Sequence, residues 1–191
     1  MKSAFFLLVL LAGLQPPSLR LSGCKRSASA PAEASGRQPL ISLGQTSVQP
    51  MRLVYIRDTI ASMAAVGAAL GKSYSELFGF IAQQGLAGGR VMAFYYSWQA
   101  PVVIDAAVEV DRFPAQTAGR IRVNVVNGGN AVVAHYRGPY GSIEKAYDAI
   151  NGWLKRHGKT AGGLPFEVYL NAPALVTDSF DLKTDVYQPL R

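Results

Sequence analysis

Cysteine is almost missing from this chain. Cys24 stands alone among 191 residues, so no disulfide can close within the chain and no multi-cysteine metal site can be built. Histidine is nearly as scarce: His135 and His157 are the only two, and their spacing suits no metal. They read as a strand residue and a helix C-terminal residue, and no metal or other cofactor is implied. Long hydrophobic runs are lacking too. Ala4 to Leu14 (AFFLLVLLAGL) is eleven residues, too short to cross a bilayer as a helix. There is no block of like charge either. The net charge is +7, but Lys2 and Arg20 lie in the N-terminal segment, and the rest carries seventeen basic against twelve acidic residues. No basic run exceeds Lys25-Arg26 or Lys155-Arg156, which reads as a solvated surface in preference to a nucleic-acid patch, and no nucleic-acid partner is expected.

Nearly half of the residues are hydrophobic and a tenth aromatic, enough for one domain with a real core and a short extension. Residues 1–24 read as an export segment, with Lys2 as the positive start and Ala4 to Leu14 as the apolar region. Two processing sites compete. Ala28-Ser29-Ala30 has the small-x-small form but is followed by Pro31, which tolerates cleavage poorly. Leu21-Ser22-Gly23-Cys24 has the form of a bacterial lipobox and is preferred, because the sole cysteine sits at the position that is lipidated. The expectation is an exported protein, periplasmic or at the cell surface, anchored to a membrane through lipid on Cys24. Residues 25–50, rich in Ser, Ala, Pro, Gly and Gln without an apolar period, read as a flexible tether.

The folded part is expected over residues 51–191. Arg52 to Arg57 is a strand pattern, and Ser73 with Glu76 makes a capping box before Leu77, Phe78 and Ile81, with Gly85 as the stop. Arg90 to Trp98 and Ile104 to Val110 follow as strands. Asn127-Gly128-Gly129-Asn130 reads as a hairpin turn, since no helix start or Lys-Ser/Thr follows to make it a phosphate loop. From Ala131 to Pro173 come a strand, a helix opening near Ser142 and a second strand, with Lys183 to Leu190 as the last. Ile143, Tyr147, Ile150 and Leu154 form the helix's apolar stripe, and Tyr147 and Trp153 are assigned to helix packing.

Strand, helix, strand, strand thus occurs twice, over about 51–113 and 120–191. Tyr55-Ile56-Arg57 aligns with His135-Tyr136-Arg137, and Phe94-Tyr95 with Val168-Tyr169. This predicts an α+β fold of duplicated βαββ units forming a pseudo-twofold sheet, with a ligand cleft between the halves. In the strand PFEVYLNAP, Glu167, Tyr169 and Asn171 share one face while Phe166, Val168 and Leu170 share the other. The counterpart of Glu167 in the first repeat is Ala93. A carboxylate present in one half of a symmetric cleft points to ligand chemistry, with Tyr95, Tyr136 and Trp98 as wall residues.

The run HYRGPYGSIEKAYDAINGWLKRHG, then PFEVYLNAP and the final VYQPL, resembles the gyrase-inhibitor-like (GyrI-like) effector-binding domain over about residues 51–191. The resemblance implies the duplicated fold and a cleft that, in multidrug-responsive transcription activators, holds organic cations on a glutamate ringed by aromatics. Glu167 stands where that glutamate is expected, and Tyr187 matches a family aromatic. Those regulators carry a DNA-binding helix-turn-helix ahead of the domain, where this chain has an export segment and a tether, so neither transcriptional regulation nor gyrase inhibition is expected. The resulting expectation is a non-catalytic binding protein for a cationic or polar aromatic small molecule, with Glu167, Tyr95, Tyr136, Tyr169, Tyr187 and Trp98 as ligand-binding residues. Two alternatives stay open. Some members of the family hydrolyse reactive natural products, which would make Glu167 catalytic. A haem-binding family shares the duplicated fold, and His135 would then be the strand histidine able to ligate iron.

Overall fold

The protein was analysed as a computed structural model, which describes residues 36–191; the export segment, Cys24 and both processing sites lie outside these residues. Runs of β-branched and aromatic residues form most of the sheet. The strands are β1 (Leu40–Val48), β2 (Met51–Ile60), β3 (Gly88–Tyr95), β4 (Val102–Val110), β5 (Arg122–Val126), β6 (Gly129–Arg137), β7 (Phe166–Tyr169) and β8 (Lys183–Pro189). Helix α1 (Val66–Gln83) connects β2 to β3, and α2 (Glu144–His157) connects β6 to β7. All eight strands form one antiparallel sheet in the order β1-β6-β8-β7-β3-β4-β2-β5.

The fold is α+β and duplicated, and the repeat is longer than the sequence suggests. Each half has the order ββαββ, and the two halves exchange their first strands. β1 pairs with β6 of the second half, and β5 pairs with β2 of the first. The tether reading therefore fails from Leu40 onward. LISLGQTSV is polar in composition because, as an edge strand, it turns only Ile41 and Leu43 into the α2 core. Asn127-Gly128-Gly129-Asn130 does not close a hairpin either, since β5 and β6 lie at different places in the sheet. Instead the two links cross closely at Gly128, where a Cβ would fall 2.7 Å from the Val48 carbonyl oxygen.

Both helices pack on one face. Leu77, Phe80 and Ile81 of α1 cover Val54, Ile56, Ala106 and Val108, while Ala146, Ile150 and Leu154 of α2 cover Val132, Ala134 and Val186. Burying one such Leu or Ile contributes about 1.5–3 kcal/mol. Helix α1 starts two turns before Ser73, hidden in the sequence by the weak helix formers Gly67 and Gly71. Ser73 is no cap: it is buried mid-helix and donates to Asp58 at 2.6 Å. Gly85 and Gly158 end the two helices with left-handed backbones, as expected. The other sheet face carries its own core of Met51, Leu53, Met92, Phe166 and Val168.

Strand register corrects the alignment of the repeats. Arg57 pairs with Asp105 across β2–β4 as His135 pairs with Asp185 across β6–β8, so Arg57 corresponds to His135, two residues from the sequence alignment. At the seam, β3 and β7 run antiparallel with Ala93 directly opposite Glu167.

Candidate functional site

Glu167 sits at that seam, on the helix-bearing face, with 2% of its surface exposed. The α2 stripe brings Tyr147 over it, and the Tyr147 hydroxyl donates to Oε1 at 3.0 Å. Tyr169, two residues further along the same strand and so on the same face, donates to Oε2 at 2.7 Å. The Tyr169 ring meets Tyr74 of α1 edge-on at 6.4 Å and Tyr140 at 5.5 Å. On the β3 side Tyr95 lies parallel to Trp98 at 4.1 Å, and Trp98 meets Tyr147 edge-on at 5.1 Å. Five tyrosines and a tryptophan therefore enclose one carboxylate.

Four of the tyrosines form two symmetric pairs. Tyr74 and Tyr147 hold equivalent helical positions, each followed three and seven residues later by core residues (Leu77 and Ile81; Ile150 and Leu154). Tyr95 and Tyr169 each lie two residues beyond the Ala93–Glu167 pair. Glu167 is the departure from symmetry.

Among the described residues no lysine, arginine or histidine pairs with Glu167. Burial pushes its carboxyl up to about 7, against the downward pull of the hydrogen bonds from Tyr169 and Tyr147. Burial and the adjacent carboxylate push the Tyr147 and Tyr169 hydroxyls far up as well, keeping them as donors. One polar atom nearby is orphaned. Thr184 lies opposite Tyr169 on β8, is fully buried, and its Oγ1 has no hydrogen-bond partner among the described residues.

Of the residues singled out in the sequence, Tyr95, Tyr169 and Trp98 gather around Glu167. Tyr136 and Tyr187 do not. Tyr136 faces the helices, but its ring is packed under α2 and its hydroxyl donates to the Pro139 carbonyl at 2.7 Å. Tyr187 points through the other face and stacks on Phe166 at 5.0 Å, because its neighbour Val186 is the residue opposite Glu167. Tyr147, assigned to packing, reaches the carboxylate instead, and Tyr74 and Tyr140 join it. Aligning the repeats through their helices would have matched Tyr74 with Tyr147. His135, the strand histidine considered for haem, lies on the helix-free face with Nδ1 at 2.7 Å from Asp185.

Two clefts lie away from Glu167. One, of about 270 Å³, is bordered by Asn127–Asn130 and Phe166; the other, of about 350 Å³, lies beside His135 and Lys183. No group of three metal-ligating side chains occurs, and no helix is long and apolar enough to cross a membrane, among the described residues.

This architecture recurs in solved structures. The C-terminal domain of EcmrR superposes with a TM-score of 0.66 at 20% identity, covering 80% of this chain and 98% of that one. Against EcmrR in its complex with DNA the values are 0.65 and 19%, and the match spans 80% of this chain and 58% of that one. SAV2435 bound to tetraphenylphosphonium gives 0.55 at 15% identity over 78% of this chain and 94% of that one. A hydrolase from Listeria innocua gives 0.59 at 11% over 78% and 91%. At such identities these likenesses show the fold alone. No curated protein matches the sequence. The family model described as the GyrI-like small molecule binding domain matches residues 46–191, and the chain belongs to that family.

Proposed function

We propose that this GyrI-like domain binds an organic cation in the cage around Glu167, and that it does so as an exported protein held at a membrane by lipid on Cys24. The environment of Glu167 carries the first part. A buried carboxylate with only tyrosine hydroxyls for partners is short of positive charge, a deficit that a cationic ligand would make good. The surrounding rings add cation–π attraction of about 0.5–2 kcal/mol each. SAV2435, a protein of this fold, is bound to the aromatic cation tetraphenylphosphonium, which agrees with the reading. Thr184 Oγ1 offers a second polar contact to a ligand that enters beside Tyr169. Export rests on the N-terminal pattern of Lys2, the apolar run and the lipobox ending at Cys24.

Titration with tetraphenylphosphonium and with neutral triphenylphosphine oxide tests the cage. Glu167→Gln should weaken the cation about tenfold or more and the neutral compound far less. Tyr95→Phe should cost less affinity than Tyr95→Ala, because the ring face is the contact. Equal weakening of both compounds by Glu167→Gln would make Glu167 structural and end this reading. For export, the mature protein should enter the detergent phase and Cys24→Ser should release it. A mature N-terminus downstream of Cys24 would overturn that half alone.

A further inference from the structure

The cleft of about 350 Å³ opens on the helix-free face, lined chiefly by Leu40, His135, Arg137, Leu170, Lys183 and Asp185. Register places four of these in a row across the sheet. Leu40 is opposite Arg137, Arg137 opposite Lys183, and the Leu170 amide donates to the Lys183 carbonyl at 3.0 Å. Two cations thus stand between two leucines that are 65% and 54% exposed. His135 and Asp185 form the next row.

Arg137, Lys183 and the carboxylate Asp185 all line the opening. Asp185 is buried and His135 covers it through Nδ1, while half of the His135 side chain remains exposed. Arg137 pairs with Asp181, but Lys183 Nζ and His135 Nε2 have no partner among the described residues. The other half of the molecule serves as an internal control. At the places of Arg137 and Lys183 it has Thr59 and Val103. There Arg57 saturates Asp105 with two bonds of 2.7 and 2.8 Å, and Tyr96 adds a third of 2.9 Å. The scaffold therefore does not require the two cations. Exposed apolar side chains beside the unpaired Lys183 ammonium complement a negative headgroup bearing an apolar arm.

We propose that this cleft is a second binding site, on the opposite sheet face from Glu167, for a small amphiphilic anion. Its carboxylate or phosphate head lies among Lys183, Arg137 and His135, and its apolar arm lies over Leu40 or Leu170. A free alkyl phosphate and an anionic lipid share this chemistry, so the test has two arms. In the first, the full mature chain is titrated with hexyl phosphate, hexanol and hexyltrimethylammonium. Hexyl phosphate should bind alone, should survive saturating tetraphenylphosphonium, and should weaken about tenfold or more in Lys183→Gln. In the second, the same proteins, produced without export so that Cys24 carries no lipid, are sedimented with phosphatidylglycerol and phosphatidylcholine vesicles. Binding to phosphatidylglycerol that Lys183→Gln removes assigns the site to lipid; loss in the first arm assigns it to a free anion. Binding in neither arm, binding indifferent to Lys183→Gln, or displacement of hexyl phosphate by tetraphenylphosphonium overturns the proposal. Lys183 is exposed, so the variant should fold, which a thermal melt verifies.

Discussion

Replacing Glu167 by Gln should make the empty protein more stable in mild alkali while spoiling it as a cation receptor. The Glu167 carboxyl has its ordinary value of 4.5 in the unfolded chain and about 7 in the fold, because burial penalises the charged form. A raised carboxyl pKa contributes stability that is fully present below 4.5 and is lost as pH rises through about 7. The interval from 4.5 to about 7, at ~1.4 kcal/mol per pH unit, sets that loss at about 3 kcal/mol by pH 8. Gln carries no charge to penalise, though its amide satisfies the two tyrosine donors less well, at a cost of about 1 kcal/mol at every pH. Calorimetric melts at pH 5 and pH 8 should therefore show wild type falling by roughly 5–10 °C relative to Glu167→Gln. The difference between the two proteins cancels every other group that titrates in that window. Ligand binding should move oppositely. A cation requires the ionised carboxylate, so tetraphenylphosphonium should bind about 100-fold more weakly at pH 5 than at pH 8, and should release a proton when it binds at pH 6. If wild type and Glu167→Gln keep a constant stability difference from pH 5 to pH 8, Glu167 is not protonated by burial and the reasoning fails.

Three other outcomes follow from the same structure. Thr184→Val removes a buried hydroxyl without a partner and should raise stability by about 1 kcal/mol, independent of pH; a loss would show that Thr184 Oγ1 is satisfied by bound water. In a Trp153→Phe background the fluorescence of Trp98, which lies over Tyr95 and Tyr147 while 40% exposed, should change on titration with tetraphenylphosphonium; an unaltered spectrum at saturation would place the ligand elsewhere. A chain beginning at Met51 should lose several kcal/mol or its cooperative melt, because it lacks β1 and bares the edge of β6, whereas one beginning at Gly36 should melt like the mature protein. Equal melts for both would refute the exchange of first strands.

Alternation and punctuation made much of this fold legible. β2, β4, β6 and β8 read as strands because their β-branched and aromatic residues are dense, and Glu167 and Tyr169 were placed on one face by period two alone. The edges were harder. β1 mixes polar and apolar residues, β5 is only five residues long and bares its valines, and neither marks its distant partner. The cage was legible on β3 and β7 and obscure on the helices. Helical period places Tyr147 on the buried stripe but cannot say whether its hydroxyl ends in the core or on a carboxylate. Tyr187 failed for a related reason: which neighbour a strand residue faces depends on register, and register is decided by pairing across the whole sheet.

The exchange of first strands also bears on how the two halves are joined. The seam itself is short, four residue pairs from Val91–Tyr169 to Phe94–Phe166, and would be a weak hinge between independent halves. The exchange of β1 and β5 ties the halves together at a second place, where the two links cross at Gly128. A ligand bound at Glu167 as proposed would meet the layer above the sheet first: Tyr147 on α2, Tyr74 on α1, and Trp98 in the β3–β4 connection. The same seam explains why only one half carries the acid. Ala93 faces Glu167 directly across the antiparallel pair, where a second carboxylate would set two like charges side by side with no cation to separate them. Four tyrosines can obey the pseudo-twofold, because rings tolerate being duplicated around an axis. A buried charge on that axis cannot, and alanine is the residue that leaves it room.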